Sequence, residues 1–308
     1  LMRLAAALET PLEFFFRPET VTLGRIDFRK RASLNKKAQA RIEADVREQL
    51  ERFFELLALF PDPPVRAFRS PVAMRAPIAS LDEVERTAQT VRDAWSLGID
   101  AVPDLADKLE EHGLVVLCTD VPSGRRFDGL ATRVDGFPVV VVGREWPGDR
   151  QRFTLAHELG HLVLAGRLAA DVDLEKACNR FAGAFLAPAE SVIAELGGAR
   201  RRLEARELYQ LKHEYGLSMS AWVYRARDTQ VIAQATADSL MRWFSGKGWR
   251  LQEPGDPVPP EKPRLFEQLV MRAHAEAMIS TAKAAELMAM PVEAYRRRLA
   301  LEPVMGDA

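Results

Sequence analysis

Two histidines four residues apart, with a glutamate next to the first, are the group in this chain best placed to do chemistry. They are His157, Glu158 and His161, within FTLAHELGHLV. On a helix, positions i and i+4 share a face, so both imidazoles can point at one metal ion. Glu158 sits one step round and reaches water in the ion's open position rather than the ion itself. Zinc suits such a set, because a catalytic zinc takes three protein ligands and keeps one position open. It brings the pKa of water there to roughly 7, so a nearby carboxylate can act as general base at neutral pH. With five histidines in 308 residues, an H-E-x-x-H run arises by chance on the order of once per hundred such chains.

A third ligand is needed. Glu175 is the best placed, in Leu174-Glu175-Lys176-Ala177-Cys178-Asn179-Arg180-Phe181, with Asp171 and Asp173 as competitors. Asn179, one turn after Glu175, can orient a ligand from behind it; a structural amide is the bland alternative. His112, His213 and His274 each stand alone among charged helical residues and read as non-ligands. Among Tyr224, Arg225 and His213 the sequence singles out no donor for an oxyanion.

The elements around this group follow from pattern. Leu155, Leu159, Leu162 and Val163 make a helix from about Arg150 to Leu164 a buried one. Gly160 inside it costs about 1 kcal/mol relative to Ala, which implies close packing at that point. A second helix, about 173–186, carries the stripe Leu174, Cys178, Phe181 and Phe185 and stops before Pro188. Two such helices, antiparallel across a tight loop, would bring Glu175 toward His161. Upstream, Gly113–Cys118 and Phe137–Gly143 are apolar β-branched runs, with a weaker strand near Leu130–Val134 between them. Connections too short for crossover helices predict an antiparallel sheet. An edge strand at about 138–142 would then hold a substrate backbone beside the metal.

Farther out, residues 2–16 read as an amphipathic helix, followed by a basic stretch with Arg25, Arg29, Lys30, Arg31, Lys36 and Lys37. A charged helix over roughly 35–60, with the stripe Leu50, Phe53, Phe54 and Leu57, reads as a connector or dimer strut. Ser80 and Glu83 form a capping box opening a helix to about Leu97, and 102–112 is another short helix. The rest is mostly helical, interrupted by Gly197-Gly198 and by a proline-rich linker over 252–263. Ser280 and Pro291 open two short helices resembling a helix-turn-helix, with the tail Arg296, Arg297 and Arg298; such pairs are also common packing units. Arg200, Arg201 and Arg202 read as a solvated helix face.

Composition bounds the class. Hydrophobic residues make up 47% and charged residues 28%, with a net charge of -1, which suits a globular fold and excludes a globally basic nucleic-acid binder. No apolar run approaches the ~18 residues that span a bilayer. The N-terminal residues lack the pattern of a signal peptide. Cys118 and Cys178 form no CxxC pair and read as buried thiols of a reducing cytoplasm. The chain opens on Leu, which points to a literally translated start codon or to upstream sequence. The fold class expected is α+β and mostly helical: a zincin-like core with a small antiparallel sheet and the HExxH helix, then a helical C-terminal region. The division expected is 1–60 as a helix-turn-helix remnant plus connector, 80–190 as the peptidase core and 191–308 as the helical remainder.

RFTLAHELGHLVL followed by EKACNRFAGAFLAP resembles the ImmA/IrrE family of bacterial metallopeptidases. The likeness runs in detail from about Asp104 to Pro188, then more loosely through LKHEYGLSMSAWVYRARD and RAHAEAMISTAKAAELMAM. It departs at Ala187, where the family often has Met. The resemblance implies one zinc ion held by His157, His161 and Glu175, with Glu158 as catalytic base. It implies a protein substrate, a transcriptional repressor whose cleavage relieves repression of stress-response or mobile-element genes. It also implies an N-terminal helix-turn-helix of the Cro type, whose last helix LMRLAAALETPLEFFFRP resembles. Two functions follow as expectations: a cytoplasmic zinc endopeptidase, or a DNA-binding regulator that uses the peptidase fold as sensor or scaffold. A purely structural zinc site is a third.

Overall fold

The computed structural model describes residues 27–28, 34–73, 77–123 and 127–301. The helix expected over 2–16 and the basic residues Arg25 and Arg29–Arg31 lie outside them. The strands are β1 (Asp27–Phe28), β2 (Val115–Thr119), β3 (Gly129–Val134) and β4 (Phe137–Gly143). The helices are α1 (Lys36–Leu57), α2 (Leu81–Ala94), α3 (Leu105–Glu111), α4 (Gly148–Leu164), α5 (Leu174–Leu186) and α6 (Ala189–Leu196). After them come α7 (Ala205–Tyr215), α8 (Met219–Asp228), α9 (Gln234–Gly246), α10 (Leu265–Ala275), α11 (Thr281–Leu287) and α12 (Val292–Leu299). The α+β class, mostly helical, is what the sequence predicts.

The sheet differs in one respect. Its order is β1-β3-β4-β2 and it is mixed, not antiparallel: β3 pairs with β4 antiparallel, but β2 runs parallel to β4, Val115 opposite Val139 through Thr119 opposite Gly143. No crossover helix is needed, because β3, on the far side of β4 from β2, returns the chain antiparallel before β4 begins. The same topology puts β4 in the interior of the sheet. Its backbone groups are shared between β2 and β3, so the strand expected to present a free edge to substrate does not.

Side chains alternate across the pleat, and both faces are covered. Val116, Cys118, Val140 and Val142 join the larger core, together with Leu155, Leu159, Phe181 and Phe185 of α4 and α5. Val115, Leu117, Val139 and Val141 join a second core with α1 and the C-terminal helices. In α1, capped by the Asn35 side chain on the Ala38 N–H at 2.8 Å, Ile42, Val46, Leu50, Phe53, Leu56 and Leu57 are buried. Its apolar stripe therefore closes the second face of the sheet within this chain, instead of standing out as a connector or strut. Tyr295 of α12 and Leu269 and Val270 of α10 are buried in the same core. Among the described residues no helix is long and apolar enough to cross a membrane.

The proline-rich 252–263 stretch is a strap and not a free linker. Gly148, the first residue of α4, donates its N–H to the Val258 carbonyl at 2.9 Å. A Cβ at Gly148 would collide with the carbonyl oxygen of Pro259. Glu261 is buried and holds Arg152 of α4 at 2.6 Å, while its other oxygen accepts the Ala106 N–H at 2.8 Å. Gln151 accepts the Glu261 N–H at 2.8 Å. Glu253 caps α8 by accepting the Met219 and Ser220 N–H groups, each at 3.0 Å. Farther on, Glu110 accepts the N–H groups of Arg264 and Leu265 at the start of α10, and its burial pushes its carboxyl up to about 8. The strap thus fixes the N-terminal end of the helix that carries the HExxH residues.

Candidate metal centre

Helices α4 and α5 pack against each other along most of their length, and Gly160 lets them come close. A Cβ there would stand 3.2 Å from Phe181 Cδ1 and 3.3 Å from Cys178 Cα. The expected cost of a mid-helix glycine thus has a packing reason. The loop between the helices returns to α5 at Asp173, whose side chain caps the Lys176 N–H at 2.7 Å. Asp173 therefore serves as an N-cap, and Glu175 sits in the first turn of α5.

This arrangement brings three donor groups together. His161 Nε2 lies 3.0 Å from His157 Nε2 and 3.3 Å from Glu175 Oε1, and His157 Nε2 lies 3.5 Å from Glu175 Oε2. Four donors held tetrahedrally at zinc's bond lengths stand about 3.4 Å apart, so the three spacings fit one such ion. Two imidazole nitrogens this close, with a carboxylate beside both, are a donor set that could hold a metal. His157 is fully buried, whereas the Glu175 side chain is 66% exposed, so the site is anchored on one side and open on the other.

Asn179 Oδ1 lies 2.9 Å from His157 Nδ1. With Nδ1–H donating to that carbonyl oxygen, the lone pair sits on Nε2, which faces the other donors. Glu158 is buried at 6% exposure, next to His157 on α4. Beside Asn179 and Thr154 opens a cleft of about 1050 Å³ between α4, α5, α8 and the strap.

The other sequence candidates fall elsewhere. His112 stacks on Trp95 with centroids 4.1 Å apart, His213 packs edge-on to Tyr209, and His274 Nε2 lies 3.1 Å from Thr281 Oγ1. Asp171 is exposed and outside the three-residue group. Arg225 is buried, donating to both oxygens of Glu85 and to the Ala187 carbonyl, and so is committed to the scaffold. Tyr224, by contrast, is exposed in the cleft wall. Sequence reasoning missed Arg152, Glu261 and the strap, because a pair 109 positions apart leaves no local pattern. It also missed the cleft, whose walls come from widely separated parts of the chain, from Leu81 to Pro260.

No curated protein matches the chain. Residues 109–227 match the family model of the IrrE N-terminal-like domain, Peptidase_M78. That stretch runs from the end of α3 into α8 and contains the sheet strands β2–β4, both packed helices and all three clustered donors. Over residues 109–227 the chain therefore carries an IrrE N-terminal-like domain of the Peptidase_M78 type.

Proposed function

We propose that this protein is a zinc-dependent endopeptidase acting on a protein substrate, a transcriptional repressor, in the cytoplasm. The observation that supports it most is the convergence of His157, His161 and Glu175 within 3.0–3.5 Å, with Glu158 next to the first ligand. Zinc, when bound, supplies Lewis acidity for water and for a peptide carbonyl. The chain's own residues do the rest. His157, His161 and Glu175 hold the ion, and Asn179 fixes the His157 ring. Glu158 takes the proton of the attacking water and returns it to the leaving amine nitrogen. The repressor substrate rests on the resemblance to the family.

The test is Glu158→Gln. The variant should keep its zinc and lose cleavage of a co-encoded repressor by about a hundredfold or more, the typical contribution of a general base. A Gln variant that cuts as fast as wild type rules out this role for Glu158.

A second reading, a DNA-binding regulator, draws on one observation. Ser280 caps α11 at the Lys283 N–H, 3.2 Å away, and a left-handed Ala289 turns the chain into α12, as in a helix-turn-helix. Arg296 and Arg298 of α12 are paired with Glu293 and Glu267. A gel-shift titration with its salt slope tests it; no shift at low salt removes it.

A further inference from the structure

The cleft beside Asn179 is more than the metal site needs. At about 1050 Å³ it stands at the upper end of the ~300–1,000 Å³ usual for ligand pockets, room for several side chains. It runs along one face of α4, past Arg150, Phe153 and Thr154, and the next turn of that face carries His157. On the other side it touches Asn179, which bonds His157. None of His157, Glu158, His161 and Glu175 lines the cleft; Asn179, which does, is its link to the donor group through His157.

Its walls have a definite chemistry. Phe153, Tyr224 and Trp249 supply aromatic surface, while Trp146 is buried, with Arg150 Cζ 3.9 Å over its ring. The carboxylates of the wall are engaged within the protein. Asp128 pairs with Arg150, Asp228 with Arg180, and Glu253 and Asp149 with Lys212. Glu145 accepts from the Ser123 N–H and hydroxyl. Two cations of the wall, Lys176 and Arg250, are exposed and have no ion pair among the described residues. The unmatched charge of the cleft is positive, although the whole chain carries a net charge of -1.

We infer that this cleft binds the part of the substrate protein on one side of the scissile bond, and that it selects a segment carrying an acidic residue near a bulky aromatic one. The inference rests on the endopeptidase reading. Lys176 and Arg250 attract the acidic residue, and Phe153, Tyr224 and Trp249 pack against the apolar one. A segment with basic residues in their place meets like charge, which is the repulsive half of the selection.

The experiment uses the full chain carrying Glu158→Gln, so that binding is read without cleavage. Three fluorescein-labelled decapeptides are titrated by anisotropy: one with two Glu and two Phe, one with the Glu changed to Lys, one with the Phe changed to Ala. The first should bind about tenfold or more tightly than either of the others, and less tightly as salt rises. Adding K176E and R250E should weaken the acidic peptide about five- to tenfold and remove its salt dependence. Equal binding of all three peptides, or no effect of the charge reversals, overturns the inference. Wild-type hydrolysis separates the two claims. Selective binding without hydrolysis of any peptide or repressor supports the cleft assignment and removes the endopeptidase reading. Hydrolysis with no acidic or aromatic preference does the opposite.

Discussion

Replacing Gly160 with Ala sets two effects of known sign against each other. At an unconstrained mid-helix position the change would stabilise by about 1 kcal/mol. Here the new methyl group would meet Phe181 Cδ1 at 3.2 Å, Cys178 Cα at 3.3 Å and Phe181 Cβ at 3.4 Å. Carbon atoms at optimal separation stand about 3.5–4.0 Å apart, so α5 must retreat by a few tenths of an ångström. Phe181 cannot turn aside, being fully buried and stacked on Phe185 with ring centroids 5.8 Å apart. Cys178 Cα is backbone and moves only with the helix. Overpacking of this kind costs about 1–3 kcal/mol, so the net change should fall between about zero and 2 kcal/mol of destabilisation. The retreat also shifts Glu175, one turn before Cys178, by more than the ~0.2 Å that metal ligation tolerates. Zinc affinity should drop on the order of tenfold. Guanidinium unfolding of the metal-free chain gives the first number and competition against a chelator the second. A variant about 1 kcal/mol more stable than wild type, with zinc affinity unchanged, would refute the packing argument.

Three other outcomes follow from the same geometry. Asn179→Ala frees the His157 ring and should lower zinc affinity about 10–100-fold, with Asn179→Asp restoring much of it, as read by chelator competition. Arg152→Leu leaves the Glu261 carboxylate buried without its 2.6 Å partner; it should cost about 3–5 kcal/mol in denaturant titration, and a paired Arg152→Met, Glu261→Met change should recover part of that. Glu110, raised by burial from 4.5 to about 8, keeps a proton in the folded chain that the unfolded chain has lost. Its stabilising effect is complete below pH 4.5 and fades as pH rises through 8. Glu110→Gln should therefore gain on wild type by on the order of 3 kcal/mol between pH 5 and pH 9, and a pH-independent difference would contradict the assignment.

What could be read from the sequence was local. The two helices of the site follow from apolar spacing, Ser80 caps α2 at the Glu83 N–H as its spacing with Glu83 suggests, and a costly glycine pointed to a tight crossing. The path of the chain was not local. β2 and β4 are both continuous apolar runs, as expected of strands buried on both faces, and that pattern is the same whether they run parallel or antiparallel. Reading the connection as too short for a crossover overlooked that β3 is the return path, and the expectation that β4 is an edge strand failed with it. The 252–263 strap was hidden for a related reason. Prolines describe the backbone between residues, but not the distant Arg152 and Gly148 that Glu261 and Val258 reach. The stripe of α1 was visible, but the sheet face it covers was not.

The central claim is that three side chains from two helices hold one divalent cation. Its most direct test is metal analysis of the purified full chain beside H161A and E175A, with circular dichroism to confirm that each variant is folded. The account predicts one zinc per wild-type chain and loss of that zinc from both variants at unchanged helicity. A wild-type chain that takes up no zinc, or variants that keep a full equivalent, would contradict it.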